Sequence, residues 1–116
     1  MNKVIHRESN AWGRTSTIIL AGGFAFVMVT VTFNEPDVAV IHDLVVHESR
    51  RRKGLGNKLL KEALNEASAM GCMKSRLAVE PVTWVSEWYV RNGFKPQSLV
   101  DYGGHYMSVL EKDNSQ

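Results

Sequence analysis

The chain changes its hydrophobic period abruptly at the segment Arg50-Arg51-Arg52-Lys53-Gly54-Leu55-Gly56. Before it, β-branched and aromatic residues fill Thr15–Leu20, Phe24–Phe33 and Val38–His47, interrupted by Gly22-Gly23 and by the turn Asn34-Glu35-Pro36-Asp37. Runs of this kind between tight turns read as three strands of an antiparallel meander. After it, Leu59, Leu60, Ala63, Leu64, Ala67 and Met70 recur at intervals of three and four, with Lys58, Lys61, Glu62, Asn65 and Glu66 on the other face. That is an amphipathic helix, stopped by Gly71. Ser75–Glu80 is again strand-like, so strand, loop, helix and strand form a crossover whose two strands lie parallel with the helix on one face. The pattern also predicts a short strand at Lys3–Arg7 and a second helix over Trp84–Asn92, begun at Pro81 and Thr83 and ended at Gly93. A last strand pair is expected near 97–101 and 105–111, around Gly103-Gly104. The fold class is α/β (α+β), with a mixed, mostly antiparallel sheet, one β-α-β crossover and flanking helices. No repeat or linker divides it, and residues 1–116 read as one domain.

Charge narrows the functional classes. With 14 basic residues against 12 acidic ones the net charge is only +2, too even for a general polyanion binder, so nucleic acid is not the expected partner. Any preference for anions must be local. A single cysteine, Cys72, excludes an internal disulfide framework and reads as a small buried apolar residue. Thr15–Phe33 carries no charge over nearly the length of a membrane span, but its β-branched residues and central Gly22-Gly23 favour a hairpin over a transmembrane helix. No signal peptide is evident, and a cytoplasmic protein is expected. His6, His47 and His105 have no partners at ligand spacing, so no metal is expected.

The glycines of the basic segment stand at the start of the helix. Unpaired backbone N–H groups and the positive end of the helix dipole favour an anion there, and glycine allows close approach. Arg51, Arg52 and Lys53 add charge, and arginine can hold phosphate oxygens bidentately. A nucleotide-like pyrophosphate suits this arrangement. Neither a P-loop spacing nor G-x-G-x-x-G is present, since position 59 is Leu.

At these residues the chain resembles the GNAT family of N-acetyltransferases. Arg51-Arg52-Lys53-Gly54-Leu55-Gly56 matches that family's [RQ]-x-x-G-x-[GA] motif, after the apolar Leu44 and Val46. Glu48 stands where the family commonly has proline. A second signature, Trp88-Tyr89-Val90-Arg91-Asn92-Gly93-Phe94, follows one helix and one strand later, and the resemblance covers roughly residues 24–111. It implies an acetyl-CoA-dependent transfer to a primary amine in a ternary complex. The strands at 40–47 and 75–80 should splay, with the pantetheine arm laid along the former. Leu44, Val45 and Val46 would be its main-chain partners. Arg51, Arg52, Lys53, Gly54, Leu55, Gly56 and Asn57 would hold the pyrophosphate, with Arg91 near the nucleotide phosphate.

Such chemistry needs an acid for the departing thiolate and a base for the amine. The resemblance puts Tyr89 in the first role and His42 or Asp43 in the second. Strand alternation sets His42 and Asp43 on opposite faces unless a bulge intervenes. Trp84 and Trp88 would be core or acceptor-pocket residues, and Glu80 a charge entering a turn. Typical members begin with a strand and two helices that cover the acceptor site, and this chain has little before its first long strand. Its acceptor site is therefore expected to be open, or closed by a second copy in a homodimer. A different class of function also fits: a catalytically silent acyl-CoA-binding module acting through a partner.

Overall fold

The computed structural model describes residues 2–115. The chain runs β1 (Lys3–Ser9), β2 (Gly13–Leu20), β3 (Ala25–Thr32), β4 (Val38–Val46), α1 (Leu55–Ala69), β5 (Lys74–Val79), α2 (Trp84–Arg91), β6 (Lys95–Tyr102) and β7 (His105–Asp113). All seven strands join one sheet in the order β1-β2-β3-β4-β5-β7-β6. Every neighbouring pair is antiparallel except β4 and β5, as the crossover requires. Thr15–Phe33 forms the greater part of a hairpin rather than a membrane span, and no helix among the described residues is long and apolar enough to cross a membrane.

Alternation divides the sheet into a covered and an open face. Ser16, Ile18 and Leu20 of β2, Ala25, Val27, Val29 and Val31 of β3, and Ala39 and Ile41 of β4 are buried. Leu55, Leu59, Leu60, Ala63 and Ala67 of α1 belong to the same apolar cluster, with Tyr89 and Phe94 from α2 and the turn after it. Residues of the other parity, Thr15, Thr17, Ile19, Phe26, Met28, Thr30, Val38, Val40 and His42, are half-buried. No helix among the described residues covers them. Cys72 is buried, and burial pushes its thiol pKa up.

One residue of α1 departs from the helical pattern. Glu66, which the spacing placed on the outer face, is buried, because β1 and β2 extend the sheet beneath that side of the helix. Arg7 reaches it from β1 with a bidentate bond, Nε to Oε2 at 2.9 Å and Nη2 to Oε1 at 3.0 Å, and the Ser16 hydroxyl donates to Oε2. One turn earlier, Lys3 pairs with Glu62 at 2.9 Å. These bonds tie the edge strand to the helix; β1 contributes little else, since most of its side chains are exposed.

The Arg7 guanidinium, and after it the Ser16 hydroxyl, hold the Glu66 carboxyl below its ordinary pKa, against the opposing push of burial. A depressed folded-state pKa contributes stability above the unfolded-state value, and that stability is lost as pH falls through the folded one. Glu66→Gln is therefore expected to lower the unfolding free energy by about 2 kcal/mol at neutral pH, the scale of hydrogen bonds to a charged group. The variant should also lose less stability than the wild type on acidification. Denaturant unfolding across the acid range checks both; parallel pH profiles would contradict the assignment.

Candidate active site

The site is set by how briefly β4 and β5 stay together. Their parallel ladder contains only Val38↔Lys74, Ala39↔Ser75 and Val40↔Arg76. Beyond Val40 the strands part, and Ile41–Val46 and Leu77–Val79 present unpaired edges to one another. On their other sides β4 stays with β3 as far as Val46, and β5 with β7 as far as Val79. An extended ligand could hydrogen-bond to these edges much as an added strand would.

Within β4 the register slips. Met28 faces His42 but Phe26 faces Val45, so β4 has one residue more than β3 over this interval. Asp43 takes a left-handed conformation with φ of 54°, which a short polar side chain tolerates better than most. The bulge reverses the parity of the remainder of the strand: Leu44 and Val46 pack against the core, while Val45 is exposed. It also brings together the two side chains that simple alternation would separate. His42 Nδ1 lies 3.0 Å from Asp43 Oδ2, and His42 Nε2 lies 2.8 Å from the Thr30 hydroxyl. Thr30 is in turn 3.0 Å from the Thr15 hydroxyl, directly across the β2–β3 ladder.

The basic loop joins β4 to α1. Arg52 has a φ of 64° and Gly54 one of 76°, so the chain curls sharply into the helix. Lys58 N–H donates to the Gly54 carbonyl at 3.1 Å, closing the first turn. No side chain caps the start and no acidic residue stands in the first turn. The N–H groups of Leu55, Gly56 and Asn57 therefore face outward without an intrahelical acceptor. Arg51 donates Nε to the Val46 carbonyl at 3.2 Å, leaving its terminal nitrogens without a protein partner among the described residues. Arg50 is not simply solvated: its guanidinium lies 4.4 Å from the centre of the Phe24 ring. Arg52 and Lys53 are exposed.

Helix α2 abuts this loop. Trp88 donates Nε1 to Asn57 Oδ1 at 3.1 Å, and its ring lies beside Gly56. The next residue, Tyr89, is buried, its ring edge-on to Phe94. The Tyr89 hydroxyl makes no hydrogen bond among the described residues. No fully buried side-chain oxygen is left unpartnered, so this hydroxyl reaches open space from a buried ring. Burial raises its pKa. Arg91, in the last turn of α2, is exposed and makes no hydrogen bond or ion pair to the loop. Trp84 is 76% exposed and so is not a core residue. It starts α2 just after Val82, which is exposed and has a φ of 57°. Glu80 pairs with His105 at 3.3 Å.

The family profile described as "Acetyltransferase (GNAT) domain" matches residues 12–96. A search of curated proteins finds no significant match. Among solved structures, a GNAT family acetyltransferase from Elizabethkingia anophelis with acetyl-CoA bound superposes with a TM-score of 0.71 at 13% identity. The alignment covers 97% of this chain and 98% of that one. A Bacillus subtilis acetyltransferase in complex with CoA gives 0.72 at 17% identity, covering 97% and 99%. An IAA acetyltransferase from Bacillus cereus gives 0.69 at 20% identity, also covering 97% and 99%. At these identities the likeness is one of fold.

The two loop glycines should respond oppositely to the same change. Gly54→Ala forces a Cβ into a left-handed position and is expected to cost about 1 kcal/mol. A Cβ at Gly56 would meet only Trp88 Cζ2, at 3.9 Å, inside a helix that favours alanine over glycine by up to about 1 kcal/mol. Thermal unfolding of the two variants checks the contrast, and destabilisation by Gly56→Ala would contradict it.

Proposed function

The chain belongs to the GNAT acetyltransferase family and is an acyltransferase; from that premise we propose that it transfers the acetyl group of acetyl-CoA to a primary amine by direct attack in a ternary complex. The observation that carries this reading is the parting of β4 from β5 beside a helix start that offers both unpaired N–H groups and arginine. Leu44, Val45 and Val46 line the β4 edge for the pantetheine amides. The loop from Arg51 to Asn57 receives the pyrophosphate, which the N–H groups of Leu55, Gly56 and Asn57 and the free end of Arg51 would neutralise.

In the reaction the amine nitrogen forms a bond to the thioester carbonyl carbon, and the carbon–sulfur bond breaks. The nitrogen gives up a proton, taken at the His42–Asp43 pair. The departing sulfur receives a proton from the Tyr89 hydroxyl. A raised pKa keeps Tyr89 protonated at neutral pH, the state a proton donor needs. The buried ring fixes the direction of the hydroxyl, and no protein acceptor among the described residues competes for its proton.

Two variants separate binding from chemistry. Tyr89→Phe is expected to lower kcat about a hundredfold, the usual scale for loss of one proton-transfer group, with CoA affinity unchanged. Free-thiol release from acetyl-CoA over a panel of amines checks it, and an unchanged rate would remove Tyr89 from the acid role. Gly56→Glu places a carboxylate at the helix start, where the dipole favours it but where the pyrophosphate would meet like charge. Calorimetry is expected to show CoA affinity reduced at least about tenfold with no loss of melting temperature; undiminished affinity would place the cofactor elsewhere.

A further inference from the structure

The hydrogen bonds around His42 determine more than its location. A carboxylate only accepts hydrogen bonds, so the contact between His42 Nδ1 and Asp43 Oδ2 places a proton on Nδ1. In the neutral ring Nε2 then carries the lone pair, and it faces the Thr30 hydroxyl at 2.8 Å. Thr30 donates to it, and the Thr30 oxygen can accept from Thr15 at 3.0 Å. The chain Thr15, Thr30, His42, Asp43 is thus satisfied in one direction, every donor meeting an acceptor. Both ring nitrogens are engaged within the protein, so the histidine lone pair is turned toward the sheet rather than outward. Asp43 is different. Its side chain is 62% exposed, its second oxygen has no partner among the described residues, and its one ion-pair contact there is His42. Asp43 itself has the left-handed conformation, at the bulge, on the stretch of β4 beyond its pairing with β5.

We propose that Thr30 is a positioning residue that, through His42, fixes the Asp43 carboxylate as the recognition group for a cationic acceptor amine. The inference rests on the acetyltransferase reading and deepens it. Of the two residues assigned to the amine, His42 orients and Asp43 makes the contact. The acceptor class this favours is an amine that arrives as a cation, such as an alkyl diamine, and sheds one proton to solvent at Asp43 before its neutral nitrogen attacks; an amino acid would bring its own carboxylate against Asp43.

Two readouts test this without relying on turnover. Nitrogen NMR of the wild-type imidazole above its titration is expected to show Nδ1 protonated and Nε2 bare, and a protonated Nε2 would overturn the proposal. Calorimetry on CoA-loaded protein is expected to show the Kd for an alkyl diamine rising about tenfold in Asp43→Asn, the worth of one hydrogen bond between charged groups. In Thr30→Val it should rise severalfold as the bond that holds the ring at Nε2 is lost. Thr30→Ser, which keeps the hydroxyl, should restore the affinity. Diamine affinity unchanged in Asp43→Asn or in Thr30→Val would overturn the proposal. Failure of the wild type to release thiol with any amine would instead refute the transfer reading and leave these two measurements to decide the positioning.

Discussion

Three residue pairs between β4 and β5 hold the two halves of the sheet together, and the site exists because there are no more. Each strand has a stronger allegiance elsewhere. Strand β5 is paired with β7 along its whole length, from Lys74↔Asp113 to Val79↔Ser108, while β4 follows β3 through the bulge at Asp43. An extra residue on one strand bends it and increases its twist, so β4 turns away from β5 while it keeps its pairing with β3. The resulting cleft exposes backbone groups that would otherwise complete a ladder, and such groups favour a ligand that can complete it.

Helix α1 makes this gap tolerable. Its apolar stripe belongs to the same core cluster as β2, β3, β4 and β5, and its Glu66 takes hold of β1 through Arg7. The helix therefore bridges the halves on one face while its start stands at the end of the loop from β4. The loop is shaped by local contacts: Arg50 on Phe24, Arg51 on the Val46 carbonyl, and left-handed turns at Arg52 and Gly54. Through Asn57 and Trp88 the same helix start fixes α2, and with it the Tyr89 hydroxyl. The basic loop, the cleft edge and the Tyr89 hydroxyl are thus placed by one helix end.

Much of this was legible in the sequence because it depends on local patterns. Period two in Thr15–His47, period three-to-four after Gly56, and glycines at the turns give the elements to within a residue or two. Two motifs in order give the family. What the sequence conceals is whatever depends on partners distant along the chain. Glu66 reads as an outer-face residue until β1 is laid across it. Trp84, an aromatic on a short helix, reads as core yet is exposed. The bulge has only a faint signal, a short polar residue able to adopt a left-handed conformation inside an apolar run. Thr15 and Thr30 read as ordinary strand residues, and only the register that sets them opposite one another, with His42 on the next strand, turns them into a network.

The proposed placement of one cofactor along the β4 edge, with its phosphates on the start of α1, is open to backbone amide NMR during a titration with CoA. The predicted result is that the signals of Leu44–Val46 and Gly54–Asn57 move together and saturate at one equivalent, while those of β1 and β6 stay fixed. Saturable shifts confined to other strands, or none at all, would contradict it.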